Sequence, residues 1–292
     1  MAESLIDLIK VLRDRTGAGL MDCKGALLNN DLDLDKATDW LREKGLAKAA
    51  KKADRIAAEG LALVKVCNAC GKAVIVEVNC ETDFVAKGDQ FKEFVAEIAS
   101  TILTNNITDL ETAKEATKDL VADATVKMGE KFDLRRFEIV KANEGESVES
   151  YIHMGGKIAV VVIAKNADAE LLNGLAMHIA ANNPQYLTMA DVPAEALEHE
   201  RGIQREASKA DPKFASKPAE FQEKILDGKV NKYFAEMILA SQPYLLDDTK
   251  TVATVLKEKG AEIVKFVRYA VGEGIEKRKD NFADEVMKEV NK

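Results

Sequence analysis

Cys67 and Cys70 form a C-x-x-C, the spacing with which two thiolates grip a zinc ion, and Cys23 and Cys80 bring the cysteines to four. The neighbouring residues oppose a metal site. Leu61 to Val66 and Lys72 to Val78 alternate like two strands, with Asn68-Ala69 and Gly71 as the turn between them. Cys80 then lies at the far end of the second strand, roughly 25–30 Å from Cys70 at ~3.3 Å per extended residue, whereas zinc ligands need sulfurs within ~4 Å of one another. Cys67 and Cys70 are therefore expected to be a pair of turn thiols, with no metal. The three histidines (His153, His178, His199) fall in different elements and make no catalytic arrangement with Cys or Asp. His178, between Ala176 and Ile179 on a helix, reads as a core or boundary residue. Gly155-Gly156-Lys157 lacks the first glycine and the Ser/Thr of a phosphate loop, and Gly272-Glu273-Gly274 lacks the third glycine of a dinucleotide loop. No cofactor, no bound nucleotide and no enzymatic activity are expected. A hydrolase using a Glu/Asp pair among the 50 acids is the enzymatic alternative.

What remains is Thr82-Asp83-Phe84-Val85-Ala86-Lys87, read as a loop between an apolar strand (Val74 to Val78) and a helix from Phe91 onward. Such connections usually carry small or turn-forming residues, because exposed apolar area is unfavourable. A Phe beside a carboxylate here is either folded into the core or kept for a partner.

The elements around that stretch decide between the two. At 292 residues the chain can hold more than one domain, and a hydrophobic share of 47 % against 32 % charged fits an ordered, soluble protein. The net charge of −8 argues against a general polyanion binder. Met1 to Asp7 begins acidic where a targeting peptide would be basic, and no run of ~18 apolar residues offers a membrane span, so a cytoplasmic protein with reduced thiols is expected. Residues 1–55 read as a three-helix unit. Leu5, Leu8, Ile9 and Leu12 share one helix face that stops at Thr16-Gly17-Ala18-Gly19. A second helix carries Met21, Ala26, Leu27 and Leu28. A third carries Leu34, Ala37, Trp40 and Leu41 and is expected to end at Gly45. A separate basic helix follows, with Lys44, Lys48, Lys51, Lys52 and Arg55. It is read as a solvated connection, and as the binding face of a ribosome- or RNA-associated factor in the alternative view.

The rest of the chain repeats itself. Gly71-Lys72-Ala73-Val74-Ile75-Val76 matches Gly156-Lys157-Ile158-Ala159-Val160-Val161 at an offset of 85 residues, and a helix follows each copy at an offset of 81. Leu134 to Ile139, after Gly129, corresponds to Phe266 to Val271, after Gly260, at an offset of 132. A hairpin, helices and a third strand make a small α+β unit whose sheet buries one face on its helices, and two in tandem form the expected core, at 56–145 and at 146–189 with 241–270. The first copy is four residues longer between hairpin and helix, and the excess falls in Glu81 to Lys87. That marks Thr82-Asp83-Phe84-Val85 as an addition to a scaffold that folds without it, and favours a functional Phe84. The second copy carries a long excess at 190–240, read as a projecting helical hairpin whose Phe214, Phe221, Ile225, Leu226 and Phe234 form a narrow stripe for another chain.

Leu12-Arg13-Asp14-Arg15-Thr16-Gly17-Ala18-Gly19-Leu20-Met21-Asp22-Cys23-Lys24, Glu77-Val78-Asn79-Cys80-Glu81-Thr82-Asp83-Phe84-Val85-Ala86 and Val271-Gly272-Glu273-Gly274-Ile275-Glu276 together resemble the translation elongation factor Ts family, and the likeness runs over essentially the whole chain. The resemblance implies a guanine nucleotide exchange factor that binds elongation factor Tu, GDP-bound and nucleotide-free, in support of translation elongation. It implies a ubiquitin-associated-like N-terminal domain, two related subdomains, a dimerisation hairpin giving a homodimer, and a C-terminal helical module at 271–292. By position, Thr82, Asp83, Phe84 and Val85 would enter the GTPase, Phe84 wedging near the nucleotide and Asp83 disturbing the shell of the bound Mg²⁺. Arg13, Leu20 and Met21 match the family's N-terminal contact, Met128 and Gly129 a turn near the Phe84 loop, and His153 a further partner contact.

Overall fold

The computed structural model describes residues 4–275. Residues 276–292, most of the expected C-terminal module, lie outside the described residues. The chain opens with three helices, α1 (Leu5–Thr16), α2 (Leu20–Asn29) and α3 (Leu34–Lys51). Ser4 caps α1 and Gly17 ends it in the left-handed region, at φ +67°, with its N–H on the Arg13 carbonyl. Leu8, Ile9, Leu12, Cys23, Leu27 and Leu41 close a small core.

The third helix does not stop at Gly45 and no separate basic helix follows. Gly45 is buried inside α3, where a Cβ would lie 2.8 Å from the Ala122 carbonyl oxygen. The glycine is there for close approach to a helix of the core, not as a stop. Four of the five cations of this stretch are engaged within the chain, and Lys51 is exposed. Lys44 and Lys48 bind Asp22, Lys52 reaches the Gly129 carbonyl and Arg55 binds Glu81.

Two sheets follow. β1 (Glu59–Cys67) and β2 (Lys72–Cys80) form the first hairpin, then come α4 (Asp83–Lys87), α5 (Asp89–Thr104), α6 (Leu110–Met128) and β3 (Asp133–Lys141). β4 (Glu146–His153), β5 (Ile158–Lys165) and α7 (Ala169–Asn182) open the second copy. A helical excursion, α8 (Ala194–Lys209), α9 (Pro212–Ala215) and α10 (Ala219–Ala235), precedes a small ribbon, β6 (Pro243–Tyr244) with β7 (Asp247–Thr251), then α11 (Val252–Lys259) and β8 (Glu262–Ala270). The sheets are β1-β2-β3 and β4-β5-β8, both antiparallel, so the repeat is real: an α+β protein with two related halves. Gly129 and Gly260 end α6 and α11 in left-handed caps before the last strands.

The halves bury more than one face each. Val74, Val76 and Val78 pack on Phe91, Phe94 and Ile98 of α5. Ala73 and Ile75 pack on Ala159, Val161 and Ile163, while Val160, Val162 and Ala164 meet α7. The layers run helices, sheet, sheet, helices, so β2 and β5 are buried on both faces and carry continuous apolar runs, where alternation was expected of β2. Gly156 lies where the two sheets touch: its carbonyl accepts from Ala62 N–H at 2.8 Å, and a Cβ would fall on the Leu61 side chain. His178 is fully buried, as a core residue should be.

Cys67 and Cys70 are joined as a disulfide at the tip of the first hairpin, where two thiols were expected. Cys80 pairs with Glu59 at the opposite end. The apolar stripe of the excursion also departs from expectation. Phe214, Leu226 and Phe234 turn inward and are buried, the last with Val192, Val230 and Ile238 at the base of the hairpin. Arg201 bridges α8 to Glu223 and Asp227 of α10. The pair thus satisfies much of its own apolar face, and the large apolar side chains it exposes are Ile203, Phe221 and Tyr233.

Candidate partner-binding site

The stretch from Thr82 to Lys87 is a short helix rather than a loop. Thr82 is its N-cap, extended at φ −124°, with its hydroxyl accepting from Val85 N–H. One turn of helix sorts the side chains. Ala86 is buried in the first core and Val85 packs against it, so α4 is partly knitted into the scaffold. Phe84 points the other way and is 84 % exposed. The extra turn has no counterpart in the second copy, where β5 leads into α7 through Asn166 and the cap Asp168. The core alternative for Phe84 is thereby excluded.

Asp83, in the first turn, receives Lys87 Nζ at 2.5 Å one turn later. That ammonium, with a weaker pull from Lys157, holds the Asp83 carboxyl below its usual range. Burial pushes the Cys80 thiol up to about 12, so it is no nucleophile; it donates instead to the Thr82 carbonyl.

Carboxylates fasten the turn from outside. Glu130, next after the Gly129 cap, accepts from the N–H groups of Glu81 and Thr82 at 2.9 and 3.0 Å and from the Thr82 hydroxyl at 2.5 Å. Glu81 in return accepts from Lys131 N–H at 2.7 Å. The family resemblance implied that Met128 and Gly129 lie near the Phe84 turn, and Met128 lines a hollow with Val85; neither it nor the residue spacing pointed to the pairing of Glu81 with Glu130. No local spacing joins residues so far apart in the chain.

A shallow hollow beside the turn is lined by Val85, Gly88, Phe91 and Met128. Met128 also lines the adjoining cleft that the end of α1, Thr16 and Gly17, makes with Phe94 and Lys127. Met128 therefore lies between the Phe84 turn and the N-terminal unit. On that unit Arg13 is exposed in the last turn of α1, and Leu20 and Met21, 54 % and 72 % exposed, open α2. Cys23, Ala26 and Leu27 take the inward positions, which leaves the first two for solvent or a partner. His153 ends β4, exposed, its Nδ1 3.2 Å from the Tyr151 hydroxyl. Its turn leads to Lys157, which binds Glu59 at the Cys80 end of the first hairpin, so it shares that end of the molecule with α4. Met154, 71 % exposed, adjoins it and was not foreseen.

An exposed aromatic on a braced turn and exposed apolar residues on a helical outrigger, beside two packed sheets, form a surface that a protein partner could cover. A sequence model of the family described as elongation factor TS matches residues 81–273. Proteins named elongation factor Ts are 46 % identical over 99 % of both chains in Pediococcus pentosaceus and in Lacticaseibacillus casei, and 46 % identical over 98 % of both in Xanthomonas campestris. The chain belongs to the elongation factor Ts family, whose members are translation elongation factors.

Proposed function

We propose that this protein is the guanine nucleotide exchange factor of elongation factor Tu, binding the GDP form in the cytoplasm and releasing GDP by disturbing the Mg²⁺ and phosphate site. The observation that carries this reading is Phe84. A large side chain left 84 % exposed on a capped, braced helical turn is stabilised only when a partner covers it. Burying a Phe contributes about 1.5–3 kcal/mol. If that contact forms only when the partner's phosphate site is distorted, GDP and the exchange factor each weaken the other's binding by the same factor, about tenfold per 1.4 kcal/mol.

Asp83 acts beside it. Its carboxylate is held by an exposed Lys87, an ion pair worth little in water, so it can be exchanged for a group on the partner at low cost. Negative charge brought near the magnesium shell competes with the phosphates for the metal, and the metal is a large part of nucleotide affinity. Thr82 and Val85 position this pair. Leu20, Met21 and Arg13 form a second contact that supplies affinity, with Met128, Gly129 and His153 completing the surface. Self-association through 190–240 is a separate part of the reading, resting on the exposed Ile203, Phe221 and Tyr233.

The test is release of a fluorescent GDP analogue from elongation factor Tu. Addition of this protein should accelerate release in a saturable way. A release rate unchanged across a wide range of its concentration would overturn the reading.

A further inference from the structure

We infer that Glu130 is a positioning residue for nucleotide exchange: together with Glu81 it forms a reciprocal carboxylate bracket that fixes α4 and so the direction in which Phe84 is presented. The inference rests on the exchange reading above and adds to it the device that holds the working side chain still.

A helix of five residues has little stability of its own, because its first turn fixes several dihedrals for very few hydrogen bonds. Something outside it must hold it. Glu130 uses both carboxylate oxygens to do so, one on the N–H groups of Glu81 and Thr82, the other on the Thr82 hydroxyl. The same hydroxyl accepts from Val85 N–H inside α4. The proton Thr82 gives to Glu130 thus fixes the rotamer that caps the helix. These bonds are charge-assisted and therefore short and directional.

The bracket is closed from the other side. Glu81 accepts from Lys131 N–H, so each segment offers a carboxylate to the other's backbone. Gly129, left-handed at φ +76°, turns the chain out of α6 and delivers Glu130 to this point. A third segment joins. Lys131 Nζ binds the carbonyls of Ala53 and Arg55 at 2.5 and 2.8 Å, and Arg55 binds Glu81 at 3.2 Å. The exit from the N-terminal unit, the cap of α6 and the exchange turn are therefore tied in one knot. Glu130 sits at its centre, half-buried, with both carboxylate oxygens engaged inside the chain, which is what a positioning residue requires.

The experiment uses the full chain with Glu130→Ala, Glu130→Gln, Phe84→Ala and the Glu130→Ala/Phe84→Ala double variant. On the protein alone, hydrogen exchange at the Val85 and Ala86 amides in Glu130→Ala should quicken by about tenfold or more, while amides of β2 and α5 stay protected. Glu130→Gln keeps a carbonyl acceptor for the two N–H groups and should retain most of the protection. With elongation factor Tu, Glu130→Ala should lower the GDP-release rate at saturation roughly 10–100-fold, the scale of misplacing a working group by about 1 Å. Binding to nucleotide-free elongation factor Tu should change less than that rate. Added to Phe84→Ala, the same substitution should lower release by less than about twofold, because both act through one side chain.

Unchanged protection of Val85 and Ala86 in Glu130→Ala would overturn the bracket. So would equal losses from Glu130→Ala with and without Phe84. If the wild-type chain releases no GDP, the exchange reading fails instead, and the hydrogen-exchange arm still decides the bracket.

Discussion

Gly45 offers a substitution whose sign can be worked out. In the middle of an exposed helix, Gly→Ala stabilises by roughly 0.5–1 kcal/mol, because alanine loses less backbone entropy on folding. At Gly45 the new Cβ would lie 2.8 Å from the Ala122 carbonyl oxygen and 2.8 Å from a methyl of Val126, distances that packed atoms do not adopt. The Val126 methyl can swing aside, but the carbonyl belongs to the backbone of α6 and moves only if the two helices separate. Overpacking of this kind costs about 1–3 kcal/mol, which outweighs the helix-propensity gain. Gly45→Ala should therefore be destabilising by up to about 2 kcal/mol. Gly25, inside α2, has nothing within 4 Å of its would-be Cβ, so Gly25→Ala should be stabilising by the propensity term alone. With about 2–4 °C per kcal/mol in a domain of 150–250 residues, the two variants should part by several degrees in a calorimetric scan. Limited proteolysis between 51 and 56 should quicken in Gly45→Ala only. Equal stabilisation by both substitutions would refute the close approach of α3 and α6.

Three further outcomes follow from the packing. His178 is buried and neutral, with its Nδ1 accepting from Leu245 N–H and its other nitrogen on Gln242; burial lowers its pKa below the ordinary 6.5, so the unfolded chain takes a proton that the folded one refuses, and stability should be flat above about pH 6.5 and fall below it. Thermal midpoints at pH 7.5 and 5.5 should therefore drop more for the wild type than for His178→Gln. Glu77 is fully buried with Arg135, Arg136 and Gly272 N–H on its carboxylate; Glu77→Ala leaves the Gly272 N–H without its acceptor while the two part-exposed arginines keep Glu273 and backbone carbonyls, so it should cost about 1–3 kcal/mol in urea unfolding, with Glu77→Gln costing less. Replacing 200–228 by a short Gly/Ser bridge should leave a folded protein that still exchanges nucleotide, since Val192, Val230, Phe234 and Ile238 remain at the hairpin base; early thermal aggregation would show that the hairpin supports the core.

Much of the architecture is legible because strands of a repeat reuse one pattern. The glycine-led hairpins and the glycine-capped final strands could be matched by type and order alone, and the four residues by which one copy exceeds the other led directly to Phe84. What stayed hidden was set by contacts between distant segments. Gly45 reads as a helix stop until Ala122 is seen against it. Thr82 to Lys87 reads as a loop until Thr82 is found capping one turn of helix. The excursion's Phe214, Leu226 and Phe234 read as an outward stripe because helical period gives a face but not the direction in which it points. A second buried face on the first sheet is signalled by the apolar run Ala73 to Val76 of β2, which burial on one face alone would not require. Glu130 carries no such signal.

In the function proposed above, exposed Phe84 does its work on the partner and not in the fold. The direct measurement is Phe84→Ala, assayed for thermal stability and for the rate at which it releases a fluorescent GDP analogue from elongation factor Tu. A side chain 84 % exposed should change folding stability by no more than about 0.5 kcal/mol. Loss of its burial in the complex, about 1.5–3 kcal/mol, should slow release roughly 10–150-fold. A variant that melts several degrees early while its folded fraction releases GDP at the wild-type rate would contradict the account.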